Sequence, residues 1–264
     1  MIFYFAGHGV LDNERSAIGL LEEIGCVDLP EWAASINVTQ LATALPTKRT
    51  SGCWVFFDAC QEVVTDLIER RGAPGVVLMN PGIREVTNIV VDAVALAGSR
   101  AGSQSWAPSD DQPPFFTQAL LEGLRGACAE EVNHIGWAVT GKQLLFCLPQ
   151  VADAALGYRK LSPQPLSLFN QDVPFLKIPN PEVPVLVTTE TEAHMLFAQG
   201  MNAADGNGRV FTRASTDRGL EWRFRVPADD VRYVASATFP ERIDPYRDGS
   251  FIGRPPAQRV VLKQ

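Results

Sequence analysis

The sequence holds no run of about 18 consecutive uncharged apolar residues, the length that a membrane-spanning helix needs. Its amino terminus lacks the basic flank and small-residue cleavage pattern of a secretory signal. Cysteine is scarce. The five, at 26, 53, 60, 128 and 147, make no Cys-x-x-Cys pair, and an odd number in a chain of 264 residues does not suggest a disulfide framework. Reduced thiols in a reducing compartment fit better. Positive charge is also in short supply: 23 Lys and Arg stand against 30 Asp and Glu, a net charge of -7 with a pI near 5.1. The basic residues are scattered, which argues against a nucleic-acid surface. No Gly-x-Ser-x-Gly elbow occurs, so an acyl hydrolase using serine is a poor reading. A cytoplasmic protein without membrane or nucleic-acid partners is the expectation.

What is present is the composition of a folded protein, 46% hydrophobic and 20% charged, long enough for one large domain or an ordinary one with a smaller companion. Residues 2–6 and 53–59 read as buried strands: short, rich in Phe, Val and Tyr, and without polar alternation. A third such run covers 89–97 and ends at Gly98. Val63 to Arg71 is expected as a short helix, stopped by Gly72-Ala73-Pro74-Gly75, with a minor strand at 76–79. Pro113-Pro114 opens a helix that Gly126 ends, and a second helix is expected from Thr140 to Leu156, followed by a short strand at 163–169.

Alternating strands and helices imply a largely parallel sheet with helices on its faces. Ligands collect at the carboxyl ends of the strands in such sheets. His8, Cys60 and the polar loop from Gly98 to Ser105 all stand at such ends, so three separate runs point at one crevice. From Pro179 onward the chain changes character, with three prolines in six residues and then short Val, Thr and aromatic segments about ten residues apart. That pattern predicts a small antiparallel β module over 179–264, attached to an α/β domain over 1–178. Asp205-Gly206-Asn207-Gly208 has the look of a calcium loop, but position 12 of an EF-hand would fall on Thr216, so a hairpin turn is the better reading.

A cysteine attacks an acyl carbon as its thiolate and gains from a neighbouring imidazole. Cys60 has the exposed strand-end position, and His8, 52 positions before it, is the candidate partner, also suited to protonating the departing amine. Gly9, lacking a Cβ, can turn its backbone N–H toward a substrate carbonyl; with the Cys60 N–H it would form an oxyanion hole, in which a donor is worth about 3 kcal/mol. A lone cysteine at a strand end is more often inert packing, which is the reading for Cys53, Cys128 and Cys147. His134 and His194 are placed in the same bland class.

Three segments together, Tyr4-Phe5-Ala6-Gly7-His8-Gly9, Phe56-Phe57-Asp58-Ala59-Cys60-Gln61 and the helix Phe115 to Leu124, resemble the caspase-like cysteine peptidases. The likeness is greater to the bacterial caspase-homologue and metacaspase branch than to animal caspases, and it extends over roughly residues 1–178. It implies a caspase-like α/β fold, His8 and Cys60 as a dyad, the Gly9 and Cys60 amides at the oxyanion, and no metal or other cofactor in the bond-breaking step. The residue two before the nucleophile lies beside the first substrate pocket in this family. Here it is Asp58, and metacaspase-like enzymes with aspartate there cut after Arg or Lys. A carboxylate facing the pocket would hold a cation and repel an anion. Ser99 is a further substrate-binding candidate, and Arg100 in the same loop is placed to neutralise Asp58.

The resemblance also implies strands before the histidine strand, whereas this sequence begins with it. An apolar sheet edge left open is avoided in folded proteins. Truncation of a longer protein is the leading expectation; a second chain completing the sheet, or coverage by residues 179–264, are the others. The function expected is cysteine endopeptidase activity after Arg or Lys in bacterial regulated proteolysis, defence or cell death, on a protein or peptide substrate and with a regulatory protein as partner. The alternative is a catalytically silent caspase-like interaction domain.

Overall fold

The structure, a computed structural model, describes residues 1–12, 15–24, 32, 34–45, 52–63, 93–109, 111–166, 174–214, 219–241 and 243–264. The expected strand at 76–79, nearly all of the helix expected from Val63, the first part of the 89–97 run, and Cys26 lie outside them. Glu62–Val63 themselves form a short strand rather than the start of a helix.

The first sheet is built on three parallel strands, β1 (Ile2–Leu11), β4 (Cys53–Ala59) and β6 (Ala93–Ala97). All seven residues of β4 are buried, as expected of a strand in the middle of a sheet, and six of them are apolar, Asp58 being the exception. The sheet is mixed rather than mostly parallel. β2 (Ala17–Leu20) runs antiparallel to the second half of β1, β3 (Ser35–Asn37) antiparallel to β2, and β9 (Gln164–Pro165) antiparallel to β6. The parallel part comprises β1, β4, β6 and the small β5 (Glu62–Val63); β2 returns on β1 through the five residues 12–16, too short a connection for a parallel neighbour.

One face of this sheet is a closed apolar layer. Phe3 and Phe5 of β1, Val55 and Phe57 of β4, and the alanines of β6 pack with Leu41 and Leu45 at helix α1 (Val38–Ala44). Phe5 stacks on Phe57 with ring centroids 5.4 Å apart. Helix α1 starts where Asn37 accepts a hydrogen bond from the Gln40 N–H, an N-cap. The first half of β1 has β4 on one side only: among the described residues, β2 joins from His8 onward, and Ile2 and Tyr4 are 72% and 45% exposed.

Helix α2 (Phe115–Glu122) ends in a wide turn at Gly126, as expected, where φ is 126° and a Cβ would lie 2.7 Å from the Cα of Pro181. Glycine is required there both by the left-handed backbone and by the close approach. Strands β7 (Ala129–Val132) and β8 (Gly136–Thr140) form a hairpin that the sequence pattern did not announce, and β10 (Pro174–Lys177) joins it. Helix α3 (Gly141–Val151) follows, with Gly141 tight against Val94.

The carboxyl-terminal strands form two small sheets. β11 (Glu182–Thr189) lies between β14 (Trp222–Pro227) and β17 (Gln258–Leu262). β12 (Gly200–Asp205), β13 (Val210–Thr212), β15 (Arg232–Thr238) and β16 (Gly249–Ile252) form the other. Their inner residues, among them Val185, Trp222, Met201, Tyr233 and Phe251, share one core. The module is not wholly antiparallel, since β11 and β17 are parallel. Asp205 to Gly208 is the hairpin turn between β12 and β13, with Asp205 Oδ1 accepting from the Asn207 and Arg209 N–H groups.

A single boundary at 178/179 is not how the chain divides. One compact unit comprises 1–118, 140–145 and 160–175; the other comprises 119–139, 146–159 and 176–264. The β7–β8 hairpin and the ends of two helices therefore group with the carboxyl-terminal strands. Within that second unit, Glu122 pairs with Arg225, and the Arg223 side chain donates to the Ala154 carbonyl.

Candidate active site

The parallel ladder decides which side chains meet. Ala6 stands opposite Asp58 and Gly7 opposite Ala59, and beyond them Val10 stands opposite Glu62. The offset is 52 on both sides, so His8 is level with Cys60 on the adjacent strand. Side chains alternate along a strand. Phe5, Phe57 and Ala59 face the apolar layer, and a Cβ on Gly9 would point at Phe57 and Ala59. The intervening residues, Tyr4, Ala6, His8, Asp58 and Cys60, therefore share the opposite face. His8 is exposed and Cys60 partly so.

Gly9 is buried and paired with Gly19 of β2. Any side chain here would bring its Cβ to 2.7 Å from the Cys60 carbonyl oxygen and 2.8 Å from the Phe57 ring. The glycine lets β1 close against the chain at Phe57 to Cys60, a packing requirement beside the oxyanion role expected of it.

Asp58 lies at the centre of a hydrogen-bond network and is only 1% exposed. Its Oδ1 accepts from the Ser105 hydroxyl at 2.6 Å. Its Oδ2 accepts from the Thr117 N–H at 3.0 Å and from the Thr117 hydroxyl. Thr117 is in the first turn of α2, where the amide groups lack helical partners and the helix dipole favours negative charge. With its own proton given to Asp58, the Thr117 hydroxyl is left to accept from Tyr4 Oη, 2.6 Å away. Burial nevertheless pushes the Asp58 carboxyl above its ordinary 3.8, against the three donors, which pull it down. Arg100 is exposed, and the partners of Asp58 are Ser105 and Thr117 rather than that guanidinium.

Ser99 is buried at 3% exposure, and its hydroxyl donates to the Ala59 carbonyl at 2.9 Å. Its place is behind the strand end, bracing it. Gln61 completes the brace: its side chain donates to the Ser99 carbonyl at 2.6 Å and accepts from Gln164 at 2.9 Å. Cys53 is buried, and burial raises its thiol. Cys128 and Cys147 are buried against each other, Cys128 raised by burial and Cys147 lowered by a hydrogen bond from Cys128. His134 sits in the β7–β8 turn, and His194 bonds to Tyr246 Oη at 2.8 Å. Ser105, Thr117, Tyr4 and Gln61 were not singled out from the sequence, although Tyr4, Thr117 and Gln61 fall inside the motif segments that carry the resemblance.

The family model for the caspase domain matches residues 1–142, more than half of the chain. The chain belongs to the caspase domain family. Those residues include the histidine strand and the cysteine strand, together with the loop that carries Ser105 and the helix that carries Thr117. A second comparison finds a protein of Sinorhizobium fredii, named y4kE and described as uncharacterized, 30% identical over 130 residues. The match takes in 49% of this chain and 36% of the length of that relative. The caspase domain places this protein among cysteine peptidases by family. No helix of the described residues is long and apolar enough to cross a membrane.

Proposed function

We propose that this protein is a cysteine endopeptidase in which Cys60 is the nucleophile and His8 its acid–base partner. The observation that carries this is the ladder, whose offset of 52 on either side of the pair puts His8, within β1, level with Cys60, just past the carboxyl end of β4, on one face. In the reaction the imidazole takes the thiol proton, the thiolate attacks the peptide carbonyl, and the imidazolium returns the proton to the departing amine. The Cys60 and Gly9 amides are assigned to the developing oxyanion.

Asp58 is the residue on which specificity after Arg or Lys rests. It lies two residues before the nucleophile on the same face, its charge is not cancelled by Arg100, and among the described residues Oδ1 has one partner, Ser105. Among the described residues the first half of β1 has a strand neighbour on one side only, which favours a partner strand supplied by another chain or segment. Family resemblance to bacterial caspase homologues supports a role in regulated proteolysis, defence or cell death.

Fluorogenic peptides ending in Arg, Lys or Asp test the reading directly. Cleavage after Arg and Lys, its loss in Cys60→Ala and His8→Ala, and no cleavage after Asp are expected. If no peptide is cut and iodoacetamide modifies Cys60 no faster than Cys53, the peptidase reading fails and a silent interaction domain takes its place.

A further inference from the structure

The loop leaving β6 touches Asp58 and Cys60 through a single residue. The Ser105 hydroxyl donates to Asp58 Oδ1 at 2.6 Å, and the Ser105 carbonyl oxygen lies 4.0 Å from the Cys60 sulfur as acceptor of its S–H. Asp58 and Cys60 are two positions apart and face the same way, so one residue spans both. Gln61 fixes the loop in that position. Its N–H donates to the Ser103 carbonyl at 2.8 Å, and its carbonyl accepts from the Gly102 N–H at 2.7 Å. Ser105 is half-buried, while the described residues on either side of it, from Ala101 to Ser109, are exposed.

The distribution of donors on the carboxylate is uneven. Oδ2 takes both Thr117 donors, whereas among the described residues Oδ1 takes Ser105 alone. With Oδ2 occupied, a cation reaching Asp58 approaches Oδ1, where its several N–H donors compete with the Ser105 hydroxyl. A guanidinium or ammonium brings its own positive charge to the carboxylate, whereas the Ser105 hydroxyl brings a dipole alone. The hydroxyl is therefore the weaker competitor.

We propose that Ser105 is a positioning residue that couples recognition to the nucleophile. In the empty site its hydroxyl on Asp58 holds its carbonyl against the Cys60 thiol; a cationic substrate side chain at Asp58 displaces the hydroxyl and frees the thiol. The proposal rests on Cys60 as nucleophile and Asp58 as acceptor of the cation. Its consequence is that a peptide without Arg or Lys meets a restrained thiol, so specificity is exerted on reactivity as well as on binding.

The test is the rate at which iodoacetamide modifies Cys60 in the full chain, read residue by residue by mass spectrometry, with and without agmatine, a guanidinium compound with no scissile bond. Agmatine is expected to accelerate the parent protein. Ser105→Ala is expected to react about ten-fold faster than the parent without agmatine, the fold-change of a hydrogen bond to a charged group, and to gain nothing from agmatine. Ser105→Thr, which keeps the hydroxyl, is expected to keep the agmatine response. With Arg peptides, Ser105→Ala is expected to lower KM and leave kcat unchanged, since it removes a competitor for the free site. A residue that merely held the loop together would not give that split. No acceleration of the parent by agmatine, or the same acceleration in Ser105→Ala, overturns the latch while Arg and Lys peptides are still cut. Uncut peptides together with a Cys60 no more reactive than Cys53 overturn the underlying assignment as well.

Discussion

The two faces of β4 place opposite demands on alternate residues of one strand. Val55, Phe57 and Ala59 face the apolar layer, where fit is all that is asked of them. Asp58, followed by Cys60 beyond the strand end, is on the opposite face, where a buried carboxyl is tolerated because three donors meet it. Burial by itself therefore says little about role. Asp58 and Phe57 are both essentially inaccessible, at 1% and 0% exposure, yet one is held by directed bonds and the other by contact alone.

The largest expected separation of the faces comes from His8→Ala. Loss of an acid–base group lowers turnover by about 10²- to 10⁴-fold, and an exposed side chain leaves urea stability within about 0.5 kcal/mol of the parent. A loss of stability matching the loss of turnover would show the two faces to be one structural unit. Phe57→Ala is the mirror experiment: about 3–5 kcal/mol of stability lost in urea denaturation, through a cavity beside Phe5. Next is Gly9→Ala, expected to cost about 1–3 kcal/mol because the new methyl meets the Cys60 carbonyl and the Phe57 ring; the same measurement checks it.

Thr117→Val removes the hydroxyl that joins Tyr4 to Asp58 and leaves the Thr117 N–H in place. About 1–3 kcal/mol of support for the carboxylate is expected to go, seen as a higher KM for Arg and Lys peptides with kcat little changed. The smallest effect concerns pH. Because burial raises the folded carboxyl of Asp58, the folded state holds that proton more tightly than the unfolded chain. Its contribution to stability is complete below the ordinary 3.8 and declines as pH rises through the elevated folded value. Urea midpoints of the parent are expected to fall relative to Asp58→Asn across that window. A parent that instead gains on Asp58→Asn as pH rises would reverse the assigned direction.

The apolar side of this comparison was open to reading from the sequence, and much of the polar side was not. β4 was legible because seven consecutive buried residues leave a run without interruption. β1 was legible only through Ala6, since its last residues, Gly7 to Leu11, continue past two glycines that ordinarily mark a strand's end. β2 and β3, four and three residues long, are too short for periodicity to register. His8, Asp58 and Cys60 stood out because neighbours in sequence form their motifs. Ser105 and Thr117 reach Asp58 from 47 and 59 residues away, and nothing local to a serine or threonine announces such a partner. Ser99 shows the converse: a polar residue in the expected loop turns inward, because the Ala59 carbonyl at the strand end needs a donor.

The ladder between β1 and β4 has a consequence for how the domain tolerates change. Six consecutive pairings, from Ile2 with Trp54 to Gly7 with Ala59, hold the two strands in step, and a slip of one position would turn every side chain to the wrong face. The turn following Leu20 contributes no pairing to that ladder. Residues added at the exposed turn following Leu20 would lengthen the interval between His8 and Cys60 and leave them side by side. The numerical spacing that first draws attention to the pair is thus a property of the tether, and two proteins with quite different spacings can carry the same reactive pair.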